Sequence, residues 1–260
     1  MSTPAALRVA NREFVLYRRV WRQNVTGALV QPLLYLLGVG LGIGSLVDDG
    51  ADSAELLGGA SYFGFYATAL LSTTAMFIAG QEALWQTMNG FHWDNAYRAM
   101  VATPIRPRDV ATGMVLRFAG RAGVGSLGVA IVLLFFDETR SWGLFAAVPV
   151  GIMCGLAFAM PLAAWTSTRM TDNSFPAILR FVLTPMFLFG GAFYPIDQLP
   201  AVIRPVAWVT PLWHAIELCR GAILGGLGSG LAVLHLTVLV LYVVGGWWVC
   251  TITFRRRLWP

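Results

Sequence analysis

Uncharged apolar runs in this chain extend well beyond the length of an ordinary buried helix. Residues 25–47 carry no charged side chain over 23 positions, and residues 56–81 carry none over 26. A hydrocarbon layer about 30 Å thick is crossed by roughly 20 apolar residues in a helix. Backbone groups in lipid must be hydrogen-bonded internally, so each run is expected to be a spanning helix. The pattern places spans at about 25–47, 60–83, 111–136, 142–166, 175–193 and 231–253. The expected fold class is therefore an all-α polytopic membrane protein with six transmembrane helices.

The gaps between the runs set orientation. The leader (Arg8, Arg12, Arg18, Arg19, Arg22), the 84–109 loop (Arg98, Arg106, Arg108), Arg169 and the tail (Arg255, Arg256, Arg257) hold twelve arginines. The alternate gaps hold three, Arg140, Arg204 and Arg220, and one of those gaps opens with Asp48, Asp49, Asp52 and Glu55. By the positive-inside rule both termini face the cytoplasm. Trp247 and Trp248, just before the terminal arginines, suit an interfacial belt. Residues 5–23 mix Leu7, Val9, Phe14, Tyr17, Val20 and Trp21 with five arginines. Such a segment either lies on the membrane surface as an amphipathic helix or serves as a charged leader for the first span.

Composition sharpens the picture. With 57% hydrophobic and 12% charged residues and a mean hydropathy of +0.67, the chain is no ordinary soluble domain. The net charge of +5 does not point to nucleic acid, because the arginines flank apolar runs. All eighteen basic residues are arginine. A P-loop and Schiff-base chemistry both require lysine, so this chain supplies neither. ATP hydrolysis, if it drives the protein, belongs to another polypeptide. Cys154, Cys219 and Cys250 are too few and too dispersed for a metal cluster or a disulfide framework. The leader arginines and the length of the first run argue against a cleavable signal.

Several constellations stand out. Residues 94–101 are expected to form two helical turns stopped before Pro104. Exposed Trp93, Tyr97 and Met100 would make that helix a docking knob, unless it packs on its own helix ends. Arg117 is expected to snorkel towards the arginine-rich side, whereas Arg121, deeper, would pair with a carboxylate or line a pathway. Tyr194 to Gly230 contains four prolines yet is apolar, and short helices at 201–208 and 212–224 are expected to dip into the outer leaflet. Glu217 and Arg220, near His214, have the spacing of a local ion pair. His235 stands alone on an apolar face. Gly38, Gly40, Gly42 and Gly44 permit close helix approach in the first span. Ser126 and His235 could be nominated as a hydrolase pair, but no Gly-x-Ser-x-Gly elbow is present. An ion-coupled secondary transporter usually needs a carboxylate near the bilayer midplane, and Glu82 is the nearest.

Gly190, Gly191, Ala192, Phe193, Tyr194, Pro195, Ile196, Asp197, Gln198, Leu199 and Pro200 together resemble a motif of the ABC-2 family of exporter membrane subunits. Thr210-Pro211 through His214, Glu217 and Arg220, Thr103-Pro104 through Asp109, and Gln31-Pro32 through Tyr35 are similar to that family in the same order. Within it the chain most resembles the nodulation-factor exporter (NodJ-like) branch, with daunorubicin-exporter permeases as relatives. The resemblance implies an interfacial helix over residues 1–24 and a transmembrane domain over 25–260, with outer re-entrant helices in 194–230. It implies a multi-pass permease of the bacterial inner membrane, paired with a second copy or a paralogue. Separate ATP-binding subunits would carry ATP and magnesium, leaving no cofactor, metal or catalytic residue in this chain. Trp93, Asp94, Tyr97, Arg98 and Met100 would couple to the ATPase. Tyr35, Tyr66, Phe187 and Phe189 would line the substrate path, and Phe193, Tyr194, Pro195, His214, Glu217 and Arg220 would form the outer gate. The cargo implied is a drug, a lipid or a lipid-linked oligosaccharide.

Overall fold

The computed structural model describes residues 4–18, 21–48 and 57–259, and among these every regular element is a helix. The acidic residues Asp49, Asp52 and Glu55 lie outside the described residues. In chain order the helices are α1 (Ala5–Tyr17), α2 (Trp21–Tyr35), α3 (Tyr62–Met88), α4 (Ala96–Val101), α5 (Pro107–Leu133) and α6 (Gly143–Thr166). There follow α7, which starts at Phe175 and ends at Phe189, α8 (Arg204–Val209), α9 (Pro211–Leu224) and α10 (Ser229–Leu258). Five helical stretches are long and apolar enough to cross a membrane: Thr26–Asp48, Tyr62–Trp93, Pro107–Leu133, Gly143–Thr166 and Ser229–Leu258.

The fifth expected span comes out differently. α7 has 15 residues, broken by a π-helical stretch Leu179–Leu183, and stops before Gly190 and Gly191 (φ 83°). At about 1.5 Å per residue it reaches about 22 Å, short of a full hydrocarbon layer. Continuous apolar character merges this helix with the turn that follows it. The short helices expected at 201–208 and 212–224 are present as α8 and α9.

α3 is the axis of the bundle, more buried than any other span, and it packs against α5, α6 and α9. Its start is fixed by Ser61, whose Oγ accepts from the Gly64 amide at 3.0 Å. α5 begins at Pro107, with the Asp109 carboxylate accepting from the Arg106 amide at 3.0 Å. α2 runs through Pro32 into a π-helical stretch, Leu36–Leu41. There Gly40 lies so near the Phe63 ring that an added Cβ would sit 3.1 Å from it. Gly38 faces open space, so only part of the glycine ladder serves helix approach. α2 and α10 bury the least surface, leaving apolar faces for lipid or another subunit.

Candidate transport cleft and its two ends

A cleft of about 600 Å³ opens between α2, α3, α5 and α7. α3 contributes Leu70, Thr73, Thr74, Phe77, Ile78, Gln81, Glu82 and Trp85, residues three or four apart on one face. Gln31 and Tyr35 come from α2, Arg121 from α5, and Thr184 and Phe187 from α7. Of the four expected path residues, Tyr35 and Phe187 line this cleft. Tyr66 is fully buried behind it and Phe189 is exposed on the outside of α7. The polar stripe of α3 is not among the expected path residues. Its signal was available as hydroxyls, amides and one carboxylate recurring at helical spacing inside an apolar run.

At one end the cleft is closed by aromatic rings. Phe77 meets Phe187 edge-on at 5.5 Å, Phe187 meets Phe193 at 4.8 Å, and Phe193 stacks on Tyr66 at 5.3 Å. Beyond them lie the other residues expected to form a gate. Tyr194 packs beside Ile196, Leu199 and Ala207, which Pro195 introduces. Arg220 donates to Glu217 at 2.6 Å, as expected, but also to the Gly191 carbonyl at 2.9 Å, and lies 3.6 Å from the Phe65 ring centre. His235 is not alone. His214 Nε2–H donates to the Trp208 carbonyl at 2.8 Å, so its Nδ1 is free to accept from His235 Nδ1–H at 2.7 Å. A residue 21 positions away supplied the partner, which helical periodicity does not show.

The other end is ionic. Glu82 accepts from Arg117 Nε at 3.0 Å and from Nη2, while Arg117 Nη1 donates to Glu13 of α1. Glu13 also pairs with Arg12 at 2.6 Å, and Arg12 approaches Asp94 at 3.6 Å. Arg121 reaches Glu82 at 3.5 Å, as its depth suggested. Arg117 does not snorkel: its side chain is only 11% exposed and is held between two carboxylates. The missing information was the docking of α1 on α5, where Val9 packs against Gly113 and brings Glu13 into reach.

Beside this network sits α4. Asp94 caps it, accepting from the Ala96 amide at 3.0 Å, and Asn95 takes the left-handed conformation (φ 52°) that turns the chain. Trp93, Asp94 and Arg98 are exposed. Tyr97 and Met100, expected outside, point inwards because Phe91 and Phe254 offer them an aromatic seat at 4.9 and 5.5 Å from the Tyr97 ring. Burial pushes the Tyr97 phenol well above its usual range, so it stays a neutral donor. Arg257 at the end of α10 lies over Phe91 at 4.8 Å and donates to the Arg169 carbonyl at 2.8 Å. A Cβ at Gly90 would lie 2.3 Å from the Tyr97 ring. Gly90→Ala is therefore expected to cost about 1–3 kcal/mol and to expose α4 to protease, read by limited proteolysis against the wild type.

The sequence profile of a family described as ABC-2 type transporter matches residues 5–224. The chain belongs to the ABC-2 type transporter family. Nodulation protein J of Rhizobium leguminosarum bv. viciae is 31% identical over 252 residues, covering 97% of this chain and 94% of that protein. Nodulation protein J of Rhizobium meliloti (strain 1021) is 29% identical, covering 97% and 93%. The inner membrane transport permease YadH of Escherichia coli (strain K12) is 24% identical, covering 94% and 92%. As an ABC-2 chain this is a membrane component of transport, not itself an enzyme. The three cysteines of this ABC-2 chain are free and buried, Cys154 in α6, Cys219 in α9 and Cys250 in α10.

Proposed function

We propose that this chain is the permease subunit of an ATP-driven exporter in the bacterial inner membrane. It would move an amphipathic cargo, a drug, lipid or lipid-linked oligosaccharide, out of the cytoplasm by alternating access, coupled to a separate ATP-binding subunit. It would act as a pair, with a second copy or a paralogue. The ionic end of the cleft would face the cytoplasm, a reading the arginine distribution supports. Arg257, at the end of α10, touches the carbonyl of Arg169, just past α6. On this reading the segment between them would cross once besides α10, and α7 with the apolar turn that follows it is the stretch available for a sixth crossing.

The observation that carries this reading is continuity. Asp94 at the exposed edge of α4 is linked through Arg12, Glu13 and Arg117 to Glu82 and Arg121 on the cleft wall. A partner pressing on Trp93, Asp94 and Arg98 would thereby act on the cleft, with Tyr97 and Met100 anchoring the knob from within. Glu82, the carboxylate an ion-coupled carrier would use, is already held by Arg117 and Arg121.

A Trp93→Ala, Arg98→Glu variant is expected to lose copurification with the ATP-binding subunit and to lower coupled ATP turnover about tenfold or more. Unchanged turnover would count against docking at α4. Transport in liposomes under an ion gradient, with no nucleotide, would overturn the ATP-driven reading.

A further inference from the structure

We propose that Arg121 selects the cleft's cargo by binding an anionic headgroup, a phosphate, sulfate or carboxylate carried on an amphiphile. This rests on the reading of the cleft as the cargo site. Of the three guanidiniums in the ionic network, Arg121 is the one held least. Three guanidiniums, Arg12, Arg117 and Arg121, share two carboxylates, Glu13 and Glu82, with Asp94 only approaching Arg12 from the exposed side. Glu82 is engaged through two N–H groups of Arg117, and Glu13 is divided between Arg12 and Arg117.

Arg121 is left with one carboxylate contact, Nε to Glu82 Oε2 at 3.5 Å. Charge-assisted hydrogen bonds of this kind run about 2.7–2.9 Å, and a guanidinium carries five donors. The side chain is only 16% exposed and lines the cleft, so a group entering the cleft can reach its remaining donors. Its Cζ rests 5.3 Å from the Tyr17 ring centre, which restrains the guanidinium on the cleft wall. A tetrahedral or planar oxyanion is the group such a planar fork binds best. The far end of the cleft offers rings, Phe77 and Phe187, for the apolar part of the same molecule.

Arg121 also borders a second, almost wholly apolar hollow of about 320 Å³ between α1 and α5. The anion could accordingly belong to a cargo in the cleft or to a membrane lipid whose chain fills that hollow. The chemistry at Arg121 is the same in both.

The test is isothermal titration of the full chain, in a polyoxyethylene detergent, with dodecyl phosphate, dodecyl maltoside and dodecyltrimethylammonium. The wild type is expected to prefer the phosphate over the maltoside by about tenfold. Arg121→Gln should abolish that preference while leaving maltoside binding unchanged, and Arg121→Lys should retain part of it. Glu82 keeps Arg117 in both variants, and a melting curve alongside verifies their fold. Equal affinity for the three probes in the wild type, or a preference that survives Arg121→Gln, overturns the role of Arg121 and leaves the cleft as a cargo site. Failure of all three to bind overturns the cleft itself. Phosphate binding weakened by Phe187→Ala assigns the anion to cargo. Binding indifferent to Phe187→Ala but displaced by phosphatidylglycerol assigns it to a lipid. The first result supports selection of cargo by Arg121, and the second overturns it, leaving Arg121 as the contact of a bound lipid.

Discussion

Arg117→Met is expected to destabilise the protein by about 3–5 kcal/mol, the cost of removing one partner from a buried ion pair. Glu13 and Glu82 are 7% and 13% exposed, so neither carboxylate can be rescued by water in place. Arg12 would still reach Glu13, but Arg12 is 40% exposed and its hold is weakened by solvent. Arg121 would still reach Glu82, at 3.5 Å. The measurement is thermal unfolding in detergent, paired with proteolysis of α1, whose polar anchor to α5 is Glu13. Adding Glu82→Gln should cost less than the two single losses combined, because it removes the carboxylate that Arg117→Met strands. A wild-type melting curve for Arg117→Met would contradict a buried network.

The consequence is functional because of where the network lies. α1, the loop before α4, α5 and α3 all contribute to it, and Glu82 and Arg121 stand on the cleft wall. Packed interfaces of this kind tend to move between discrete arrangements and not by smooth deformation. On the proposed exporter function, weakening Arg117 should therefore uncouple ATP turnover from transport before it unfolds the chain.

The spans were legible because apolar length and the absence of charge are local properties of a sequence. Five of the six expected runs correspond to long helices, and the sixth was overextended because Gly190 and Gly191 interrupt helix without interrupting hydropathy. The site was legible only where its residues were near in sequence. Glu217 and Arg220 announce each other at i, i+3, and Asp94 caps a helix two residues on. Arg117 with Glu13, and His214 with His235, are joined by tertiary packing across 104 and 21 positions, which no spacing rule reaches. Tyr97 looked like an exposed anchor because aromatic residues in a polar loop suggest a partner. Its partner is Phe254 of the same chain.

Arg220→Met is expected to cost about 3 kcal/mol and to loosen the far end of the cleft. The side chain is 14% exposed and ties three elements together: Glu217 of its own helix α9, the Gly191 carbonyl in the turn after α7, and the Phe65 face of α3. A hydrogen bond to a charged group is worth about 1.5–3 kcal/mol, and a desolvated cation–π contact about 2. The loss is partly offset because Glu217, 28% exposed, regains hydration. Arg220→Lys should recover only part of the stability, since one ammonium cannot span Glu217 and the Gly191 carbonyl while covering a ring. Cys219 is the reporter. It is fully buried beside Arg220, with Sγ 3.3 Å from Ser72 Oγ of α3. In the wild type a thiol reagent should modify it slowly. In Arg220→Met it should react at least tenfold faster as α9 separates from α3, while Cys154 and Cys250 stay protected. On the proposed exporter function, ATP turnover should persist in that variant while cargo export falls, because Arg220 sits beside the aromatic closure at Phe193 and not at the α4 end. Slow labelling of Cys219 in a variant that has lost export would place the defect elsewhere and remove Arg220 from the gate.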